Sequence, residues 1–181
     1  SLDAIAVKTG GLEITGSYDQ ATDMVDYRLQ RYNSASAAWE QAAVASGSAG
    51  TVHFTVPGAD TSVISIYRIS AVNGCGLEST QSGSARNMVP VAELSGTLIR
   101  LRWNKPVPAG AERFSVWRNT GEGLQEVASA LSDTVWSEDY SVFANEVTAS
   151  EVLYRVTAVA AAAPAGSPVH SSSAAIIGVT E

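Results

Sequence analysis

The chain has 181 residues, 45% of them hydrophobic and only 16% charged, with a formal net charge of −7. That length suits two small domains. The acidic balance is shared, with five basic and eight acidic side chains in residues 1–88 and six and ten in residues 89–181. It leaves no basic cluster to neutralise phosphates, so nucleic acid is not an expected partner. An anionic membrane surface is poorly matched, and no apolar run is long enough to span a bilayer.

In chain order, Leu12, Ile14 and Gly16 alternate with Glu13 and Thr15 after the turn Thr9-Gly10-Gly11. That period of two predicts a strand with one buried face. Asp19, Asp23 and Asp26 cluster in the following loop, where oxygen ligands could hold calcium. Their spacing lacks the alternation and glycine of a calcium loop, so no metal is expected. Tyr27, Leu29 and Arg31 form the next strand. Ser36 to Ala45, rich in alanine around Trp39, reads as an irregular strand and loop at the sandwich edge. After the turn Val56-Pro57-Gly58, Tyr67-Arg68-Ile69-Ser70-Ala71-Val72 puts Tyr, Ile and Ala on one face and Arg68 and Ser70 on the other, and Asn73-Gly74-Cys75-Gly76 turns it back.

The pattern then repeats. Ile99 and Leu101 answer Leu12 and Ile14; Phe114, Val116 and Arg118 answer Tyr27, Leu29 and Arg31; and Tyr154-Arg155-Val156-Thr157-Ala158-Val159 answers the Tyr67 strand, all at an offset of 87 residues. Three segments at one offset define two copies of one small β domain, 1–88 and 89–181, joined with almost no linker. Val89 to Leu94 opens the second copy, and Leu124 to Leu131, open like Ser36 to Ala45 to a helical reading, is likewise read as an irregular strand and loop. Ala160 to Ser173 reads as a long loop before a final strand, Ala174 to Val179. Short strands broken by turns predict an all-β fold of two tandem antiparallel sandwiches, about seven strands each.

A Leu-x-Trp-type strand, then Tyr/Phe-x-Val-x-Arg, then Tyr-Arg-Val-x-Ala-Val resembles the fibronectin type III family in its bacterial form, with Ig-like sandwiches as the implied fold. The second copy is the better match, through Ile99 to Trp103, Phe114 to Arg118, Thr134 to Asp139 and Tyr154 to Val159. The first copy has Gly16 where Trp103 stands, leaving Trp39 or Tyr18 to fill its core. Ser65 and Val152 stand where the family often has a tyrosine. Across the junction, Asn73 to Ser79 followed by the second copy's strands resembles fibronectin-like tandems in large surface proteins of gliding and related Bacteroidetes. The resemblance implies export to a bacterial cell surface, associated with the outer membrane. The chain opens Ser1-Leu2 and reads as a piece of something longer.

Candidate chemistry is sparse. His53 and His170 occupy unmatched positions with no nucleophile motif, and both are read as surface residues. Cys75, the only cysteine, cannot form an internal disulfide and lacks a neighbouring cation to activate it. Glu138-Asp139 sits at a strand end, where a carboxylate can accept backbone N–H bonds. Trp103 alternates into the core. Trp117 lies opposite to Phe114 and Val116, and an exposed Trp117 backed by Trp136 is the best ligand-binding candidate, set against packing between domains as the plainer reading of the same tryptophans. The expectation is a non-enzymatic spacer or adhesion module of a larger surface or secreted protein, without a cofactor. Its expected partners are other domains of its parent chain and a surface protein or polysaccharide. The alternative is an accessory carbohydrate-binding module of a secreted polysaccharide-degrading enzyme.

Overall fold

The computed structural model describes residues 1–18, 24–47, 50–79, 81–107, 112–167 and 169–179. The chain divides into two compact units, Ser1–Asn87 and Met88–Glu181. Met88, which the sequence repeat places at the end of the first copy, is fully buried in the core of the second unit.

The first unit holds seven strands: β1 (Leu2–Lys8), β2 (Gly11–Ser17), β3 (Met24–Asn33), β4 (Ala38–Ala45), β5 (Thr51–Pro57), β6 (Ile66–Asn73) and β7 (Ala85–Arg86). Strands β1, β2 and β5 form one antiparallel layer. Strands β4, β3, β6 and β7 form the other, in that order. The inner faces carry Ile5, Leu12, Ile14, Leu29, Phe54 and Tyr67, all almost fully buried. Each such side chain contributes about 1.5–3 kcal/mol of transfer free energy. The Ala-rich segment around Trp39 is an edge strand. Its register on β3 shifts at Leu29/Gln30, and Ala37 turns into it at a φ of 52°. An irregular edge of this kind resists pairing with another chain.

The second unit repeats the plan with β8 (Val91–Ser95), β9 (Leu98–Arg102), β10 (Glu112–Asn119), β11 (Leu124–Leu131), β12 (Val135–Asp139), β13 (Glu151–Ala160), β14 (His170–Ser171) and β15 (Ala175–Gly178). Strands β8, β9 and β12 form its three-stranded layer. In the other layer β11 pairs with β10 and β10 with β13, while β14 and β15 both pair with β13. Trp103, Phe114, Phe143, Tyr154 and Val156 fill the space between the layers. Both units are therefore antiparallel β-sandwiches of the Ig-like and fibronectin type III-like class.

The last strand departs from expectation. The stretch from Ala160 to Ser173 is not one loop, because β13 runs to Ala160 and β14 falls within it. Between β14 and β15 the strand is broken, and a serine bridges the break. Ser172 donates its N–H to the Val156 carbonyl at 2.9 Å, while its Oγ accepts from the Val156 N–H at 2.8 Å. The first unit does the same with Ser82 on Ile69, at 2.7 and 2.9 Å. Ile69 and Val156 are equivalent in the 87-residue repeat. A hydroxyl that replaces a ladder carbonyl leaves a buried N–H without an acceptor when removed. Ser172→Ala is expected to cost the second unit about 1–3 kcal/mol and to speed exchange of the Val156 amide. An unchanged exchange rate would refute the bridging role.

Candidate functional site

The polar groups of the second unit gather first in its interior. On β10, Arg118 continues the inward parity of Phe114 and Val116, so its guanidinium enters the core edge. There Nη1 lies 2.7 Å from Glu138 Oε2, with both side chains mostly enclosed. The Tyr154 hydroxyl donates to Glu138 Oε1 at 2.5 Å. The Arg118 guanidinium carbon sits 3.8 Å from the centroid of the Phe143 ring, and Nη2 reaches the exposed Glu146 at 3.3 Å. Burial, and then the Glu138 carboxylate beside it, push the Tyr154 hydroxyl well above the usual phenol range. These groups join β10, β12 and β13, and their chemistry is structural. Asp139 does what its place at a strand end suggests, accepting from Ser141 N at 2.9 Å. The Ser141 hydroxyl and amide hold its carboxyl below the usual range.

The outer faces of the two four-stranded layers differ instructively. In the first unit, Arg68 on β6 lies opposite Gln30 on β3. Its Nε donates to Gln30 Oε1 at 2.7 Å, and its guanidinium carbon stacks 4.1 Å from the Trp39 ring centroid. Trp39 in turn packs against Tyr32 at 5.3 Å. Gln30 donates onward to Glu78 at 3.3 Å, and Glu78 also accepts from the Ser70 hydroxyl. Ser70, expected on the outer face, is consequently buried. The ladder is closed by its own carboxylate.

The second unit places Trp117 at the position of Gln30, directly opposite Arg155. Trp117 is half-buried, and its indole N–H donates to Thr157 Oγ1 at 3.0 Å. The Nε of Arg155 is enclosed and has no hydrogen-bond partner among the described residues. The structure does not bring Trp117 and Trp136 together. Trp136, on the three-stranded layer, packs against the core with its ring 6.4 Å from that of Tyr154, whereas Trp117 lies on the outside of the other layer.

The remaining candidates scatter. Asp19 and Asp23 lie outside the described residues, and Asp26 is exposed, accepting from Ser46 at 3.4 Å. Cys75 is exposed, its amide donating to Asn73 Oδ1 at 3.0 Å. His53 is exposed with Nδ1 3.3 Å from the Thr15 hydroxyl. His170 is not a surface residue: β14 carries it into the layer opposite Ala158, where it is 4% exposed. Sequence reasoning missed Arg155, Glu78 and the Arg118–Glu138 pair. Parity along β10 and β12 was the available signal for the last of these.

No family model matches the chain, and no curated protein matches it. Among solved structures it is similar to the pectate lyase Pel3 from Pectobacterium carotovorum, at 19% identity and a TM-score of 0.38 over 52% of this chain and 27% of that one. It is also similar to the chicken interferon gamma receptor alpha chain, at 11% identity and a TM-score of 0.34 over 99% and 98% of the two chains. A third is the central fibronectin-III array of RIM-binding protein, at 10% identity and a TM-score of 0.35 over 98% and 68%. The chain thus spans about a quarter (27%) of the pectate lyase chain it matches.

Proposed function

We propose that the chain is a non-catalytic interaction and spacing module of a larger bacterial cell-surface or secreted protein. The observation that supports this most directly is where its ionisable groups are used. Arg118, Glu138 and Tyr154 tie strands together inside one unit, Arg68 and Glu78 belong to the outer ladder of the other, and Asp60 and Asp139 hold turns. What the units display is aromatic and basic side chains on the outer faces of their four-stranded layers. Such faces suit recognition, with other domains of the parent chain and a surface protein or polysaccharide as partners.

The narrower reading, a tandem from a surface protein of gliding or related Bacteroidetes, rests on Asn73 to Ser79 and the strands that follow. Antibodies raised against the chain should label intact cells of the source bacterium, and external protease should remove the label without lysis. Labelling that needs lysed cells would overturn surface display. The accessory polysaccharide-binding reading draws its support from one feature, Trp117 on an outer face.

A further inference from the structure

Repeat positions that match in sequence invite a test of whether they match in chemistry. Arg68 and Arg155 are equivalent, and both point outward from the strand at the centre of their layer. In the first unit the guanidinium is answered from within: Gln30 takes the Nε proton, and Glu78 anchors Gln30. In the second unit the Gln30 position is Trp117. No carboxylate pairs with Arg155 among the described residues, and its Nε is enclosed without a partner. The Nε itself is closed to solvent, so an acceptor that something else supplies must reach the Nη groups, which are not enclosed in this way.

Its surroundings define that something. Trp117 is cross-strand from Arg155, and the bond from its N–H to Thr157 draws the indole across onto β13, the strand that carries the arginine. An apolar ring, a planar cation and a hydroxyl, all half-buried, therefore converge on one patch of the outer sheet face. The arginine calls for a carboxylate, which it can hold through two parallel bonds. The indole calls for a flat ligand with an apolar face. A pyranose ring bearing a carboxylate meets both demands at once. Glu126, the other cross-strand neighbour of Trp117, is on the opposite side from Arg155, roughly two strand spacings or 10 Å away. A ligand carboxylate at Arg155 is thus kept apart from it.

We propose that Trp117, Arg155 and Thr157 form a binding site for a uronic-acid sugar on the outer face of the second unit. The site deepens the interaction-module reading and rests on it. The chain's net charge of −7 opposes long polyanions at a distance, so short oligomers are the suitable probes. Calorimetric titration of the whole chain should detect binding of tetragalacturonate or of a short alginate oligomer, with no binding of cellotetraose or of the methyl-esterified tetragalacturonate. Trp117→Ala and Arg155→Gln should each weaken it about tenfold or more. Arg68→Gln, the equivalent change in the first unit, should leave it unchanged. Circular dichroism checks that each variant folds, and Thr157→Val, which keeps the side-chain shape, should weaken binding through the released indole.

Absence of binding to either uronate would overturn the site, as would equal binding of the methyl ester. Equal affinity in Arg155→Gln would do the same. Stronger binding of tetraglutamate than of either sugar would replace the uronate with an acidic peptide and also defeat the proposal. Release of new reducing ends from the oligouronates would leave the site standing but overturn the non-catalytic reading, so the two failures are distinguishable.

Discussion

Glu138→Ala is expected to destabilise the second unit by about 3–5 kcal/mol, the range for removing one partner of a buried ion pair. The substitution leaves the Arg118 guanidinium, 11% exposed, without its carboxylate at 2.7 Å. It also strands the buried Tyr154 hydroxyl, which donates to the same carboxylate. Glu146 offers Arg118 only an exposed contact at 3.3 Å, which water weakens. Glu138→Gln keeps an acceptor for Tyr154 and should cost about 1–2 kcal/mol. Three of the four tryptophans lie in the second unit, so urea unfolding followed by tryptophan emission reads the change. A loss under about 1 kcal/mol for the alanine variant would place the pair among contacts that contribute little.

The first unit supplies the control. There the Tyr67 hydroxyl is buried beside the Ser65 side chain rather than against a carboxylate, and Arg31 is exposed. Tyr67→Phe should therefore be neutral or slightly stabilising, whereas Tyr154→Phe should lose about 1 kcal/mol. The same network has an alkaline signature. The folded-state value of Tyr154 is raised above its unfolded value near 10. Its contribution is full below that pH and is lost as pH rises toward the folded value.

How far the sequence reached can be judged residue by residue. The Tyr67 and Tyr154 segments became β6 and β13 because their alternation states both the strand and its buried face. The same parity carried more information than a first reading takes from it. Arg118 shares the face of Phe114 and Val116, and Glu138 shares that of Trp136. Two opposite charges on inward faces must meet or be excluded. Trp136 itself is inward by that parity, which removes it from any outer platform. Other features have no local signal. Ser172 and Ser82 act by bonding the preceding strand, 16 and 13 residues back, beyond any local pattern, so a serine-rich stretch reads as loop. The open Arg155 becomes visible only when the register of β10 on β13 places Trp117, rather than a glutamine, beside it.

The second large effect comes from how the two cores solve one packing problem differently. Trp103→Ala should cost the second unit about 3–5 kcal/mol, because the indole is 6% exposed and meets Phe114 edge-on at 5.5 Å. Trp103→Phe should cost much less, since it also removes an indole N–H that is buried without a partner among the described residues. In the first unit Gly16 holds the corresponding place, and of the two candidate rings Trp39 does not replace the missing one. Tyr18 takes over its partner rather than its position, since Tyr27 is the repeat equivalent of the Phe114 that Trp103 meets. Trp39 stacks on Arg68 outside the layer, and Tyr18 packs on Tyr27 at 4.3 Å. The space belongs to Ile69, whose Cδ1 would lie 2.5 Å from a Cβ added at Gly16. The equivalent of Ile69 beside Trp103 is the smaller Val156, so glycine with isoleucine stands against tryptophan with valine. Gly16→Ala should then destabilise the first unit by about 1–3 kcal/mol through overpacking. Ile69→Val should recover part of that loss in the double variant, by about 0.5 kcal/mol or more of favourable coupling. Full recovery is not expected, because the added methyl also meets the Ser1 carbonyl at 2.7 Å, and backbone yields less than a side-chain tip. Strict additivity of the two changes in urea unfolding would show that Ile69 does not fill the space that Trp103 occupies in the other unit.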